Sequence, residues 1–454
     1  MKSINPYTLK TIATYPEDSE AIVNQKIDEA HRVYSKNRLQ PLSNRIPLMQ
    51  RAASILKENK KEHALMISKE MGKPISEAYA EVEKCAWVCD YYADNVKQFL
   101  ADKTIETDAD KSFVKHQPIG VILAVMPWNF PFWQVFRFAA PALLAGNTAV
   151  LKHASNVQGS AQLIQQVFEE AGFEPGSFIN LAISSKKVEH VLRNNKVKAA
   201  TVTGSDKAGQ AVAKVCGEEI KKTVLELGGS NAFIVLEDAD IDLAAQLAVK
   251  ARMINNAQSC IAAKRFIVHE NVVDEFASKF VEHLKVLKSG DPLNEDTQVG
   301  PMARVDLAEE LEKQLTRSLE KGAKLLYGGS RSNAYFEPTV ITDVKPGMPA
   351  FDEELFGPVA AIISCASADE AVDLANKSEF GLGASIITDN TELALELADR
   401  IEDGAVFINE LVKSDPRLPF GGTKKSGYGR ELSSLGIQEF LNHKTIYVNK
   451  TVKV

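Results

Sequence analysis

An α/β protein built on two successive sheets is predicted by three features of the 454-residue chain. From residue 119 onward, strands and helices alternate in the rhythm of a parallel sheet covered by helices. After the tandem glycines Gly228 and Gly229 a second alternation begins, so the glycines mark a domain boundary. A chain of this length buries roughly 75% of its unfolded surface and needs neither disulfide nor metal to hold its core.

Taken in order, residues 16 to 100 read as helices at 21–34, 45–60, 61–71 and 75–100, the first with Asp18 or Ser19 as N-cap. Residues 111 to 116 alternate as a strand, and 445 to 452 form a second, β-branched one near the end of the chain. Two such edge-like strands predict strand pairing between subunits. Strands follow at 119–126, 148–152, 178–183, 199–203 and 223–227, separated by helices at 132–144, 159–171, 187–194 and 207–216. Ligand sites belong at the carboxyl ends of such strands. Beyond Gly229 come a strand at 231–236, a helix at 241–254 and a strand at 265–269.

Composition excludes several functions. Lysine and arginine number 53 against 60 acidic residues, a net charge of −7 without a basic stripe, which argues against a nucleic-acid partner. No apolar run reaches the length that spans a bilayer, and residues 1 to 6 lack the apolar core of a leader, so no membrane partner and a cytoplasmic location are expected. Five cysteines (Cys85, Cys89, Cys216, Cys260 and Cys365) show neither disulfide-type nor metal-type spacing. Cys85 and Cys89, one helical turn apart, read as core packing, and no metal is expected.

Five places stand out by their chemistry. Cys260 breaks an amphipathic run where helix gives way to strand, although a lone cysteine reads equally as a small core residue. Asn129 sits in Pro127-Trp128-Asn129-Phe130-Pro131, where two prolines fix a turn that could aim its amide at a site or simply cap itself. Glu226 lies in an otherwise apolar strand, which calls for a buried partner or a proton-transfer task. Gly204 and Ser205 lead a strand into a helix, and Lys152 and Ser155 end another strand. Both places suit a phosphate or ribose as well as an ordinary loop.

Together with their flanks these residues resemble the aldehyde dehydrogenase superfamily over nearly the whole chain. The matching stretches are PWNFP at 127–131, GNTAVLK at 146–152, TGS at 203–205, LELGG at 225–229, QSC at 258–260, GDP at 290–292, EELFGPV at 353–359 and PFGGTKKSGYGRE at 419–431. The resemblance implies a Rossmann-type cofactor domain (1–110 and 119–228), an α/β catalytic domain (229–428) and a β-strand oligomerisation arm (111–118 and 429–454) that makes a homodimer or homotetramer. It implies Cys260 as nucleophile, with Asn129 and the Cys260 amide as oxyanion donors and Glu226 activating the hydrolytic water. Trp128, Lys152, Ser155, Gly204, Ser205, Glu354 and Phe356 match positions that hold a nicotinamide cofactor.

Where many NAD-specific relatives carry a glutamate, this sequence has Ser155, so the resemblance implies use of NADP, with NAD also accepted. Arg137 falls among large apolar residues, as an unpaired cation seeking an anion or as half of an interdomain salt bridge. Succinic semialdehyde dehydrogenases resemble this pattern, with an arginine at that offset binding the substrate's distal carboxylate. Their second arginine is replaced here by Ile254. Ser414 and Arg417 are candidate replacements, and Arg417 pairs as readily with Asp415. Ala262 stands where some relatives carry a second, resolving cysteine. The implied activity is oxidation of a small aldehyde with a distal carboxylate, succinic semialdehyde to succinate. Glutaric semialdehyde, a CoA-acylating reaction, and a crystallin-like scaffold without chemistry are the alternatives.

Overall fold

The computed structural model describes residues 1–452, so the final two residues of the expected arm, 453 and 454, lie outside the described residues. Two short strands, β1 (Lys2–Ile4) and β2 (Thr11–Thr14), pair with each other ahead of four helices. These are α1 (Glu20–Asn37), α2 (Ile46–Glu58), α3 (Lys60–Met71) and α4 (Ile75–Phe99). Ser19 caps α1 by accepting the Ile22 amide, and its buried stripe includes Val23, Ile27, Ala30 and Val33. Helix α4 buries the repeating positions Ala78, Val82, Cys85, Ala86 and Cys89, so the two cysteines do pack as core.

After β3 (Lys103–Thr104) and β4 (Lys111–Pro118) the main alternation runs β5 (Val121–Met126), α5 (Trp133–Ala145), β6 (Thr148–His153), α6 (Gln158–Glu170) and β7 (Phe178–Asn180). It continues with α7 (Val188–Arg193), β8 (Val197–Thr203), α8 (Asp206–Glu218) and β9 (Lys222–Glu226). The five strands are parallel in the order β9-β8-β5-β6-β7, with Gly427–Tyr428 antiparallel at the β9 edge. Strand order reverses between β5 and β8, and that switch point opens a crevice at their carboxyl ends. Every residue of α5 is buried, which is why its sequence is almost uniformly apolar.

The second sheet has seven strands. It contains β10 (Asn231–Val235) and β11 (Ala263–His269), with α9 (Ile241–Met253) between them in sequence. Its order is Lys324–Tyr327, Thr339–Thr342, Val359–Cys365, β11, β10, Ala384–Ile387 and Val406–Ile408, parallel except at the Lys324–Tyr327 edge. Cys260 precedes β11, so this sheet offers the amino ends of its strands to the site while the first sheet offers carboxyl ends.

The expected edge strands turn out to be partners within one chain. Leu441–Val448 runs antiparallel to β4 through eight matched residues, from Leu441 opposite Pro118 to Val448 opposite Lys111, with β3 on the other side of β4. Residues 429 to 440 are not yet part of that sheet: the helix Ser433–Gln438 packs toward α5, where Phe440 meets Phe138 edge-on at 5.7 Å. The terminal strand itself begins at Leu441. No helix of the described residues is long and apolar enough to cross a membrane.

Candidate active site

Two cavities meet at Cys260. One of ≈ 260 Å³ lies at the β5–β8 crevice and is lined by Trp128, Asn129, Gly204, Ser205, Glu354 and Phe356, among others. The other, of ≈ 230 Å³, lies between α4, α5 and the loops at 413–414 and 420. Cys260 is the one cysteine among the five that is not fully buried. It is reached through the cavities rather than from the outer surface. Burial therefore dominates its titration and pushes the thiol up to about 11, against the opposing pull of Arg137 and Lys264. The resting group is the thiol, a smaller thiolate fraction than a free cysteine would show.

The loop that carries Cys260 is held by side chains on both flanks. Asn255, Asn256 and Ala257 adopt left-handed backbone with φ of 60°, 52° and 60°, a conformation that asparagine tolerates and alanine does not favour. Fixed partners hold it there. Glu77 accepts the Asn255 amide at 2.8 Å, the Asn256 side chain bonds Gly72 and Pro301 carbonyls and the Gly300 amide, and Gln258 accepts the Ala303 amide. The Lys264 ammonium donates to the carbonyls of Ser259, Cys260 and Ala262. Gly229 is required at the hinge, because a Cβ there would come within 2.8 Å of the Cys260 carbonyl.

Asn129 is buried, and its side-chain amide donates to the Gln258 carbonyl at 3.0 Å, which ties the proline-bracketed turn to the Cys260 loop. The turn is braced from α4: Glu81 accepts the amides of Phe132 and Trp133 and pairs with Lys73, whose ammonium lies 4.1 Å from the Phe130 ring centre. Glu226 is buried at 2% exposure, and neither carboxyl oxygen has a hydrogen-bond partner among the described residues. Burial, with the nearby Glu431 next, raises it well above the ordinary carboxylate range. Burial raises Glu431 as well, against the pull of the Arg137 guanidinium with which it pairs.

That ion pair corrects the expectation that Arg137 is an unpaired cation. Its Nη2 also donates to Thr203 at 3.2 Å, and its guanidinium carbon lies 4.8 Å from the Phe420 ring centre, although one edge still lines the ≈ 230 Å³ cavity. Ser414 lines the same cavity, as does Ile254. Arg417 does not. It forms a two-pronged bond to Asp415 with a largely exposed side chain, and its guanidinium carbon lies over Trp87, the alternative that the sequence left open.

On the other side, Trp128 and Phe356 meet edge-on at 5.7 Å. Glu354 accepts the Gly229 amide at 3.1 Å and lies 3.2 Å from the Lys264 ammonium. Ser205 caps α8 by accepting the Ala208 amide, and Gly204 precedes it. Lys152 and Ser155 lie at and just past the end of β6, separated from β8 by β5, and neither lines the ≈ 260 Å³ cavity. Lys152 is half-buried, its ammonium lowered by burial alone with no carboxylate contributing, and Ser155 is exposed. A cation lacking an anion beside a helix amino end is the environment a nucleotide phosphate fits.

The aldehyde dehydrogenase family profile matches residues 1–446. The chain belongs to this family. It is 49% identical to a probable succinate-semialdehyde dehydrogenase [NADP(+)] of Synechocystis sp. over 98% of this chain and 99% of that protein. It is 46% identical to the succinate-semialdehyde dehydrogenase [NADP(+)] of Mycobacterium avium over 99% and 97% of the two. Among solved structures, that of succinic semialdehyde dehydrogenase from Streptococcus pyogenes with NADP+ superposes with a TM-score of 0.97 at 39% identity, over 99% of this chain and 100% of that one. The aldehyde dehydrogenase fold read from the sequence is the fold observed.

The sequence reading missed Asn255, Asn256 and Gln258 as the scaffold of the Cys260 loop, Glu431 as the partner of Arg137, and Lys264. Tandem asparagines before a reactive cysteine were an available signal, since asparagine is the residue that enters left-handed backbone most readily after glycine. Nothing local distinguishes Lys264.

Proposed function

We propose that this protein oxidises succinic semialdehyde to succinate with NADP, and with NAD as a second acceptor. The observation that carries the reading is the position of Cys260 at the meeting of two cavities, one bounded by nucleotide-type turns and the other by apolar walls with cationic side chains. The relatives named for this activity support the substrate and the cofactor.

Cys260 Sγ adds to the aldehyde carbon to form a thiohemiacetal, its proton leaving to water in the cavity. Asn129 and the Cys260 amide stabilise the oxyanion. Lys152, Ser155, Gly204, Ser205, Trp128, Glu354 and Phe356 hold the dinucleotide, and Ser155 leaves room for a 2′-phosphate that a carboxylate would repel. NADP, when bound there, supplies the hydride acceptor. Glu226, once it has given up its proton, accepts one from the water that attacks the Cys260 thioester, a task suited to a carboxyl group raised by burial. Arg137 and Ser414 line the substrate side.

The division into a cofactor domain (1–110 and 119–228), a catalytic domain (229–428) and an arm (111–118 and 429–454) follows from this reading, with 429–440 packed toward α5 rather than in the arm's sheet. The three-stranded sheet, largely exposed along Leu441–Val448, supports assembly into a homodimer or homotetramer. Five free cysteines among the described residues support a reducing, cytoplasmic setting.

Purified protein mixed with NADP, then NAD, and with succinic semialdehyde, glutaric semialdehyde and butanal, each with and without CoA, tests the proposal through absorbance of the reduced nicotinamide. The fastest turnover is expected with NADP and succinic semialdehyde, independent of CoA. Strict dependence on CoA, or silence with every aldehyde, overturns it.

A further inference from the structure

The charges around the ≈ 230 Å³ cavity balance with one exception. Arg137 is neutralised by Glu431, and Glu81 by Lys73. Lys413, at the rim, pairs with Glu410 at 2.6 Å. Glu77 accepts the Asn255 amide, and burial raises its carboxyl to about 7, so its charge is in part removed by a proton. Lys84 has no carboxylate within ion-pair distance among the described residues. Its ammonium donates to Ser414 Oγ at 2.8 Å and sits 4.3 Å from the Trp133 ring centre, two neutral partners.

Geometry makes this cation available to a ligand. Glu77, Ala80, Glu81 and Lys84 follow one another at i, i+3, i+4 and i+7, so α4 turns a single stripe toward the cavity and Lys84 ends it. When the ammonium donates to Ser414 Oγ, the serine hydroxyl hydrogen stays free to donate elsewhere. An anion in the cavity thus meets an N–H donor and an O–H donor side by side, which matches the two oxygens of a carboxylate. Burial lowers the Lys84 ammonium to about 8, with the Arg137 charge adding to it and the Asp415 and Glu81 carboxylates, neither within ion-pair distance, opposing it only in part.

We propose that Lys84 and Ser414 form the subsite for the distal carboxylate of the substrate, with Lys84 the residue that selects an acid aldehyde over an uncharged one. This deepens the function proposed above and rests on it. Lys84 supplies the cation that Ile254 does not, from a different element: α4 rather than the end of α9. Arg137 stands behind it, its charge already engaged by Glu431.

Two measurements test the subsite independently. Succinate binding to the full-length protein, measured by titration calorimetry, is expected to weaken about 10- to 100-fold in Lys84→Met and to return largely in Lys84→Arg, the range of a lost charge-assisted hydrogen bond. In steady state, the ratio of kcat/KM for succinic semialdehyde to that for butanal is expected to fall by a similar factor in Lys84→Met. The fall should lie in KM for the acid aldehyde rather than in kcat. Ser414→Ala, a milder change that keeps the fold if Lys84→Met does not, is expected to weaken succinate about three- to tenfold. Unchanged succinate affinity in folded Lys84→Met, or equal losses on both aldehydes, overturns the subsite. A wild type that shows no preference for succinic semialdehyde over butanal defeats the substrate assignment instead, and a succinate affinity that still depends on Lys84 upholds the subsite in that case.

Discussion

The two cavities that meet at Cys260 are built in different ways. The cofactor-facing one is made of turns that follow strands β5 and β8, so its residues Trp128, Asn129, Gly204 and Ser205 come in short runs of sequence. The substrate-facing one is made of side chains from two helices and distant loops, with Lys84 and Ser414 in hydrogen-bond contact across 330 residues of chain. Backbone turns carry a sequence signature because glycine, proline and small capping residues are needed at fixed offsets. A helix face carries none, since any of its charged residues could be the one that packing turns inward.

The contrast also appears in the cations. Lys152, at the end of β6, stands without an anion, whereas Arg137, at the ≈ 230 Å³ cavity, is engaged by Glu431. The sharpest way to break the comparison is Arg137→Leu, which strands a buried Glu431. The expected loss is about 3–5 kcal/mol of stability, read as a lower urea midpoint and partly relieved by adding Glu431→Gln. An unchanged midpoint with KM raised only for acid aldehydes would make Arg137 a substrate ligand without a structural duty.

Next in size is Asn129→Ala. It should cut kcat about 10²- to 10³-fold for every aldehyde, because the oxyanion is common to all of them. A loss confined to acid aldehydes would move Asn129 to the substrate side. Ser155→Glu is expected to raise KM for NADP on the order of tenfold while NAD changes less, a like-charge effect moderated by exposure. Unaltered NADP use would remove Ser155 from the cofactor side.

The smallest step concerns the thiol between the two cavities. With Cys260 held up at about 11 by burial, its thiolate fraction, and with it the rate of alkylation by iodoacetamide, should climb about tenfold per unit across roughly pH 8 to 10. The mass of the labelled peptide reports it cleanly, since the other four cysteines are buried. A plateau already reached by pH 8 would mean that the resting protein carries a thiolate.

Much of this was legible before any coordinates. The alternation from residue 119, the helices of the first hundred residues and strands at 111–116 and 445–452 follow from apolar periodicity, although the second strand in fact begins at Leu441 and periodicity could not say that the two pair with each other in one chain. Cys260, Glu226 and Asn129 stood out because each is a reactive or polar type at a place where packing alone would choose otherwise. Arg137 stood out for the same reason, and its partner did not, because Glu431 belongs to a glycine-rich stretch whose charge has no local cue.

The sequence by itself determined the two sheets and the short motifs around Cys260, Trp128–Asn129 and Gly204–Ser205, since each depends on residues close together in the chain. Only the tertiary structure decided which charges cancel. Arg137 meets Glu431 across α5 and the C-terminal region, Arg417 folds back on Asp415, and Lys84 is left facing the cavity with a serine and an indole. The physical reason is that an ion pair needs its partners within about 4 Å, a condition that packing sets and sequence separation does not.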